Sequence, residues 1–213
     1  MSSLERYAPL SAFLFTIFVV AAFILTGETP SVGDPATEVV DYYKDNVTET
    51  WFAAALITLG AVSLVWFGAV LRSHIMVSEG GNGRIASLVF AATVLMATGI
   101  TIFAGAGASA AEAADEERSA DIVETLNVLN NDMFFTVAGG TLLLYAALTV
   151  AILRHGAFPR GLGFVTLIAT VACLTPAGFF MFLLSLLLLP VLAVMIYRGR
   201  APADPGPQAV TTA

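Results

Sequence analysis

Few residues of this chain have side chains that could do chemistry. Its two histidines, His74 and His155, lie close to Arg72 and Arg154 in sequence. Such a pair could bind a metal ion or a haem, but two histidines in interfacial loops explain the pattern more simply. Cys173 is the one cysteine, which excludes an intrachain disulfide and a cysteine metal site. Nucleophile, zinc-protease and P-loop motifs are absent, so we predict no catalytic residue, metal site or cofactor.

The composition indicates the environment of the chain. Hydrophobic residues make up 58% of the chain, charged residues 12%, and the mean hydropathy is +0.86. Such a chain cannot cover itself with polar surface and belongs in a lipid bilayer. Uncharged runs occupy residues 7–27, 50–71, 85–111, 133–153 and 161–197. Each of the first four fits one membrane helix of about 20 residues.

The fifth run is long enough to raise two possibilities. It contains the stretch CLTPAGFF, in which Pro176 and Gly178 can end one helix and permit a tight turn. One possibility is a single long kinked helix, and the other is two spans. If the fifth run forms two spans, the chain has six, at about 8–26, 50–71, 85–108, 133–153, 158–175 and 177–197.

The basic residues favour six spans. Seven of the nine lie on one predicted side: Arg6, Arg72, Arg84, Arg154, Arg160, Arg198 and Arg200. The positive-inside rule places that side in the cytoplasm, together with both termini and a disordered tail at 201–213. The opposite side carries most of the carboxylates. No basic stripe exists, so the sequence predicts no nucleic-acid partner.

Two short amphipathic helices are predicted on the acidic side, at about 35–46 and 115–130. In the first, an apolar stripe consists of Ala36, Val39, Val40, Tyr43 and Val47. In the second, the stripe consists of Ile122, Leu126, Leu129 and Met133, with Val123 beside it. Both segments are too short and too charged to cross a membrane, so we expect them to lie on the outer surface with their stripes toward the bundle.

The two acidic segments also resemble each other. Residues 38–41 read EVVD and residues 121–124 read DIVE, and each block precedes an aromatic pair by the same number of residues. A true internal repeat would relate two hairpins by an axis along the membrane normal. Convergence is the alternative, because any outer loop that enters a bilayer favours acids followed by aromatics.

Two aromatic residues inside the predicted spans are candidates for ligand binding. A Tyr hydroxyl or a Trp indole N–H needs a polar partner when it is buried, so Trp66 and Tyr145 are predicted to line a cavity for a lipid or a small apolar ligand. The spans also contain many threonines, which helix packing explains equally well. Ionisable residues are absent from the interior of the predicted spans, which argues against an intramembrane enzyme.

The stretch ETPSVGDPATEVVDYYKDN, together with WFGAVLRSHI, resembles uncharacterised integral membrane proteins of actinobacteria. The resemblance implies a first span followed by a Pro- and acid-containing segment and an amphipathic helix. It implies no activity and no site residue.

The sequence therefore predicts an all-α, polytopic protein of the cell membrane, with a six-helix bundle and two outer helices. We expect a non-enzymatic lipid or small-ligand binder or an accessory subunit, and the alternative is a small transporter or channel. Membrane lipids are the expected partners, with a protein partner or a second copy of the chain also open.

Overall fold

The computed structural model describes residues 7–175 and 177–199, and in that part of the chain it contains helices and no strand. A 3₁₀ turn, Ala8–Leu10, precedes the first α-helix. The eight α-helices are α1 (Ser11–Thr26), α2 (Ala36–Asp45), α3 (Val47–Ser78), α4 (Arg84–Asp115), α5 (Ala120–Asp132), α6 (Phe134–His155), α7 (Arg160–Ala172) and α8 (Gly178–Gly199). The predicted all-α class is confirmed, and the predicted tail at 201–213 lies outside the described residues.

Five helical segments are long and apolar enough to cross a membrane: Ala8–Thr26, Val47–Ser78, Arg84–Asp115, Ala120–His155 and Gly178–Gly199. The fifth predicted span, 158–175, contains a helix of only 13 residues, Arg160–Ala172. At 1.5 Å per residue this helix is about 20 Å long, against about 30 Å for the hydrocarbon core of a bilayer. The prediction of six full-length spans is therefore wrong by one. Hydrophobicity extends to residue 175, but the helix stops before it.

Aromatic contacts at the two ends of the bundle show how the chain passes through it. The rings of Tyr7 and Tyr197 stack with their centroids 6.4 Å apart, so the start of α1 and the end of α8 share one end. The ring centroids of Phe134, at the start of α6, and Phe179, at the start of α8, lie 5.1 Å apart. Because α6 and α8 both start at the opposite end, the short α7 and the turn after it must carry the chain back between them.

Four of the five long helices pack as neighbours in chain order: α1 contacts α3, α3 contacts α4, and α4 contacts α6. The fifth, α8, contacts both α6 and α1. Thr16 donates a hydrogen bond to the Leu186 carbonyl oxygen at 2.8 Å across the α1–α8 contact. α7 packs mainly against α6. A space of about 10 Å³ lies between the helices and is lined in part by Phe23, Phe103 and Phe134.

Helices α3 and α4 are longer than the predicted spans, 50–71 and 85–108. Each has 32 residues, about 48 Å, so both extend past the hydrocarbon core. At the acidic end of the bundle, α2 and α5 pack against the last turns of α4 and bury a small second core, which we call the outer cap. Its buried members are Val39, Tyr43, Ala110, Ala111, Ala113, Ala114 and Val123.

The outer cap confirms the predicted buried positions of α2 and corrects those of α5. In α2, Val39 and Tyr43 are buried as the stripe predicts. In α5, the buried positions are Val123, Asn127 and Asn130, whereas Ile122 and Leu129 of the predicted stripe are exposed. The reason is polar: besides Val123 and the partly buried Leu126, α5 turns Asn127 and Asn130 inward, where their amides hydrogen-bond to Tyr43 of α2 and to the Phe103 carbonyl oxygen of α4.

Candidate functional site

The two histidines have different surroundings. His74 Nε2 lies 3.0 Å from the carbonyl oxygen of Ala157, and its ring packs 4.9 Å from the ring of Phe158. His155 is exposed at the end of α6. Across residues 7–175 and 177–199, no group of three or more metal-ligating side chains comes together. His74 thus links α3 to the α6–α7 turn and has a structural role.

Tyr145 is buried among the helices of the bundle. Its hydroxyl donates a hydrogen bond of 2.9 Å to the carbonyl oxygen of Met181 at the start of α8. The polar partner that a buried tyrosine requires is thus a backbone group of the neighbouring helix. Tyr145 joins α6 to α8 and lies outside the cavity described next.

Trp66 lies on the outer side of α3 and its side chain is 58% exposed. It forms part of an open groove of about 1210 Å³ between α3 and α4, which we call the Trp66 groove. Residues that line it include Val62, Trp66, Ala69, Val94, Thr98 and Ile102. Small side chains at several of these positions leave the groove concave, and the structure brings Trp66, but not Tyr145, to it.

A second space of about 640 Å³ adjoins the Trp66 groove on the side of α1. The two spaces share Ala8, Val62 and Trp66, so the indole of Trp66 lies between them. The wall of the second space includes Tyr7, Leu10 and Leu14 from the 3₁₀ turn and the start of α1. Together the two spaces form a continuous apolar hollow on one side of the bundle.

The groove occupies one half of the bundle. It extends from Ala61 to Ser73 along α3 and from Phe90 to Ile102 along α4, which is about 18 Å in each case. One leaflet contributes about 15 Å of hydrocarbon. Ser73 follows Arg72, so the groove belongs to the half that is nearer to the basic end. Its length therefore matches one leaflet.

The hydroxyl groups of the groove are largely occupied by their own helices. Ser73 donates a hydrogen bond to the Ala69 carbonyl oxygen at 3.0 Å, and Thr101 donates one to the Ala97 carbonyl oxygen at 2.8 Å. No titratable residue is among the described residues that line the larger space. The groove can therefore contact the apolar surface of a ligand, but the residues that line it include no general acid or base.

Sequence reasoning identified Trp66 but missed the rest of the groove wall. Val62, Ala69, Val94 and Ile102 are ordinary residues of a membrane helix, and their types carry no signal of a site. The available signal was spacing: Val62, Trp66 and Ala69 are separated by four and three residues and share one face of α3. A face that combines a large aromatic residue with small ones is typical of a concave helix surface.

Comparison of the chain with models of protein families, with curated proteins and with solved structures finds no match. The resemblance to actinobacterial membrane proteins therefore stays a prediction, and the function must be inferred from the groove itself.

Proposed function

We propose that this integral membrane protein is a non-enzymatic lipid binder that holds an acyl chain in the Trp66 groove. One observation carries the proposal: about 1210 Å³ of open space, walled by apolar side chains, extends over the depth of one leaflet. Small-molecule sites commonly have about 300–1,000 Å³ and mostly apolar walls. A groove that is open along its side admits a ligand directly from the bilayer, so no aqueous entrance is needed.

The interior of the bundle favours this proposal over the alternative of a channel or transporter. Aromatic rings pack together towards the acidic end of the bundle, where Phe182 packs edge-on against Phe23 and Phe134 at centroid distances of 6.5 and 5.7 Å. The space left there is about 10 Å³, too small for a polar ligand or a file of water molecules. Transport would require these rings to move apart, whereas binding in the lateral groove requires no rearrangement.

Charge separation supports a location in the cell membrane with the basic end in the cytoplasm. Arg72, Arg84, Arg154, Arg160 and Arg198 lie at one end of the bundle, and Lys44 and Arg118 are the described basic residues at the other. This asymmetry is the pattern that the positive-inside rule associates with the cytoplasmic side. The groove would then face the inner leaflet.

The tryptophans make the proposal testable, because the chain has only two. Trp51→Phe leaves Trp66 as the sole indole, and a lipid with brominated acyl chains quenches tryptophan fluorescence on contact. The protein in detergent micelles is titrated with brominated phosphatidylcholine. We expect quenching of Trp66 to saturate near one lipid per protein.

Two exposed alanines of α3 provide a matched pair of variants. Ala69→Phe fills the groove and should abolish saturable quenching, whereas Ala55→Phe adds the same ring at an exposed position that does not line the groove and should leave it unchanged. Quenching that rises in proportion to lipid without saturating would contradict the proposal, since it would mean an ordinary lipid-exposed face. Loss of saturation on formation of a dimer or a complex would assign the groove to a protein partner instead.

A further inference from the structure

The arginines of the basic end lack carboxylate partners in the described part of the chain. Arg72, Arg84, Arg154, Arg160 and Arg198 are all exposed there. The two ion pairs found among the described residues, Lys44–Glu117 and Arg118–Glu116, both lie at the acidic end. Among residues 7–175 and 177–199, these guanidinium groups thus form no ion pair, and they lie at the depth of the lipid headgroups.

One carboxylate, Glu79, lies at the basic end within residues 7–175 and 177–199, and it is engaged elsewhere. The backbone N–H groups of Ile85 and Ala86 donate hydrogen bonds to its two oxygens at 2.9 and 2.8 Å. Glu79 thereby satisfies free N–H groups in the first turn of α4 and complements the helix dipole. It is held by the backbone and forms no ion pair with an arginine.

Two of the arginines are adjacent in sequence to residues that line the hollow or pack on its wall at the basic end. Arg72 immediately precedes Ser73, which lines the end of the Trp66 groove. Arg198 immediately follows Tyr197, whose ring stacks on Tyr7 in the wall of the adjoining space. Arg154 and Arg160 belong to the ends of α6 and α7, which do not line either space.

We propose that the lipid in the Trp66 groove is an anionic phospholipid, with its headgroup phosphate bound between Arg72 and Arg198. This inference rests on the proposed lipid-binding function and adds the class of ligand. The apolar walls accept the acyl chain, and the two arginines at the basic end supply the charge and the planar donors that bind phosphate well. Selection by headgroup charge follows from their position.

The experiment compares two brominated lipids that differ in the headgroup alone. The Trp51→Phe protein is titrated in detergent with brominated phosphatidylglycerol and, separately, with brominated phosphatidylcholine of the same acyl chains. We expect a half-saturating concentration about tenfold lower for phosphatidylglycerol at low salt. The difference should shrink as salt is raised, because the charges are exposed and screened.

Charge-removing variants identify which arginines are responsible. Arg72→Gln and Arg198→Gln, in the Trp51→Phe background, should each reduce the preference severalfold, and the double variant should nearly remove it. Arg154→Gln and Arg160→Gln are matched controls, since they remove the same charge from the same end of the bundle, and we expect them to keep the preference.

The outcomes separate the two proposals. Saturable quenching with equal midpoints for the two lipids would overturn the anionic preference and leave the lipid-binding function intact. A preference that Arg154→Gln reduces as much as Arg72→Gln would also overturn it, because general surface charge would then explain the effect. Quenching that saturates with neither lipid would contradict the lipid-binding function itself.

Discussion

Gly140 of α6 lies directly against Met96 of α4: a Cβ atom at position 140 would come within 2.5 Å of the Met96 backbone nitrogen. A glycine of α4 makes a similar contact with α6: a Cβ atom at Gly99 would lie 2.7 Å from the backbone nitrogen of Val137. The two glycines thus bring α4 and α6 into backbone contact, which favours helix association in a membrane through van der Waals packing.

We expect Gly140→Leu to destabilise the bundle, because the added side chain must push α4 and α6 apart. Overpacking of this kind costs about 1–3 kcal/mol, and in a chain of this size each kcal/mol corresponds to about 2–4 °C. The measurement is the thermal unfolding midpoint in detergent. The adjacent Gly139→Leu is the control, since a Cβ there meets nothing within 4 Å. Equal midpoints for the two variants would contradict the close contact.

Tyr43→Phe should loosen the outer cap. The Tyr43 hydroxyl donates a hydrogen bond of 3.0 Å to Asn127 Oδ1, and both residues are buried. Removing the hydroxyl leaves the amide oxygen without its donor, which costs about 1–3 kcal/mol. Hydrogen exchange of the α2 and α5 amides should accelerate by about tenfold, while amides in the middle of α3 should not change.

A double variant tests the cause of that effect. Tyr43→Phe combined with Asn127→Leu replaces both partners by apolar groups, so no buried amide is left unpaired. We expect the double variant to exchange more slowly than Tyr43→Phe alone. If it exchanges faster, the asparagine contributes through contacts other than this hydrogen bond.

The outer cap should also weaken at high pH. Burial, and to a smaller extent the neighbouring Tyr42, raises the pKa of Tyr43 above its ordinary value of about 10. Because the folded state favours the neutral hydroxyl, the stabilisation is complete below pH 10 and is lost as pH rises above it. The absorbance of tyrosinate should therefore show that Tyr43→Phe has one late-ionising tyrosine fewer than the wild-type protein.

Single cysteines test the predicted orientation. In a Cys173→Ala background, Asp41→Cys and Glu116→Cys should react with an impermeant maleimide in intact cells, since both positions are exposed at the acidic end. Ser78→Cys, at the end of α3, and Asn82→Cys, in the turn that follows, lie at the basic end and should react after permeabilisation alone. The opposite pattern of labelling would place the arginines outside the cell and contradict the proposed orientation.

Composition predicts the all-α membrane bundle well, because long apolar runs partition into the hydrocarbon core as helices and charged residues stay at the membrane surfaces. The lengths of α3 and α7 are not predictable in this way. α3 continues past Arg72 to Ser78, since helical hydrogen bonding does not stop at a charged residue, and α7 ends at Ala172 although apolar residues follow.

The site was predictable only in part for a similar reason. Trp66 stood out by its residue type, whereas the groove depends on α3 and α4 meeting where Thr93 occupies the space above Gly68. The buried face of α5 was missed because Asn127 and Asn130 are polar, and a search for apolar periodicity assigns such residues to the surface. Asn130 instead donates a hydrogen bond of 2.7 Å to the Phe103 carbonyl oxygen.

The position of α8 has a consequence for biosynthesis. Because α8 packs between α1 and α6, α1 meets one of its neighbours only after the helices between them in sequence have been made. Until then the Thr16 hydroxyl and the Phe23 ring must be shielded by lipid or by the insertion machinery. A nascent chain that stops before residue 178 would lack this closure, and cellular quality control could recognise it as incomplete.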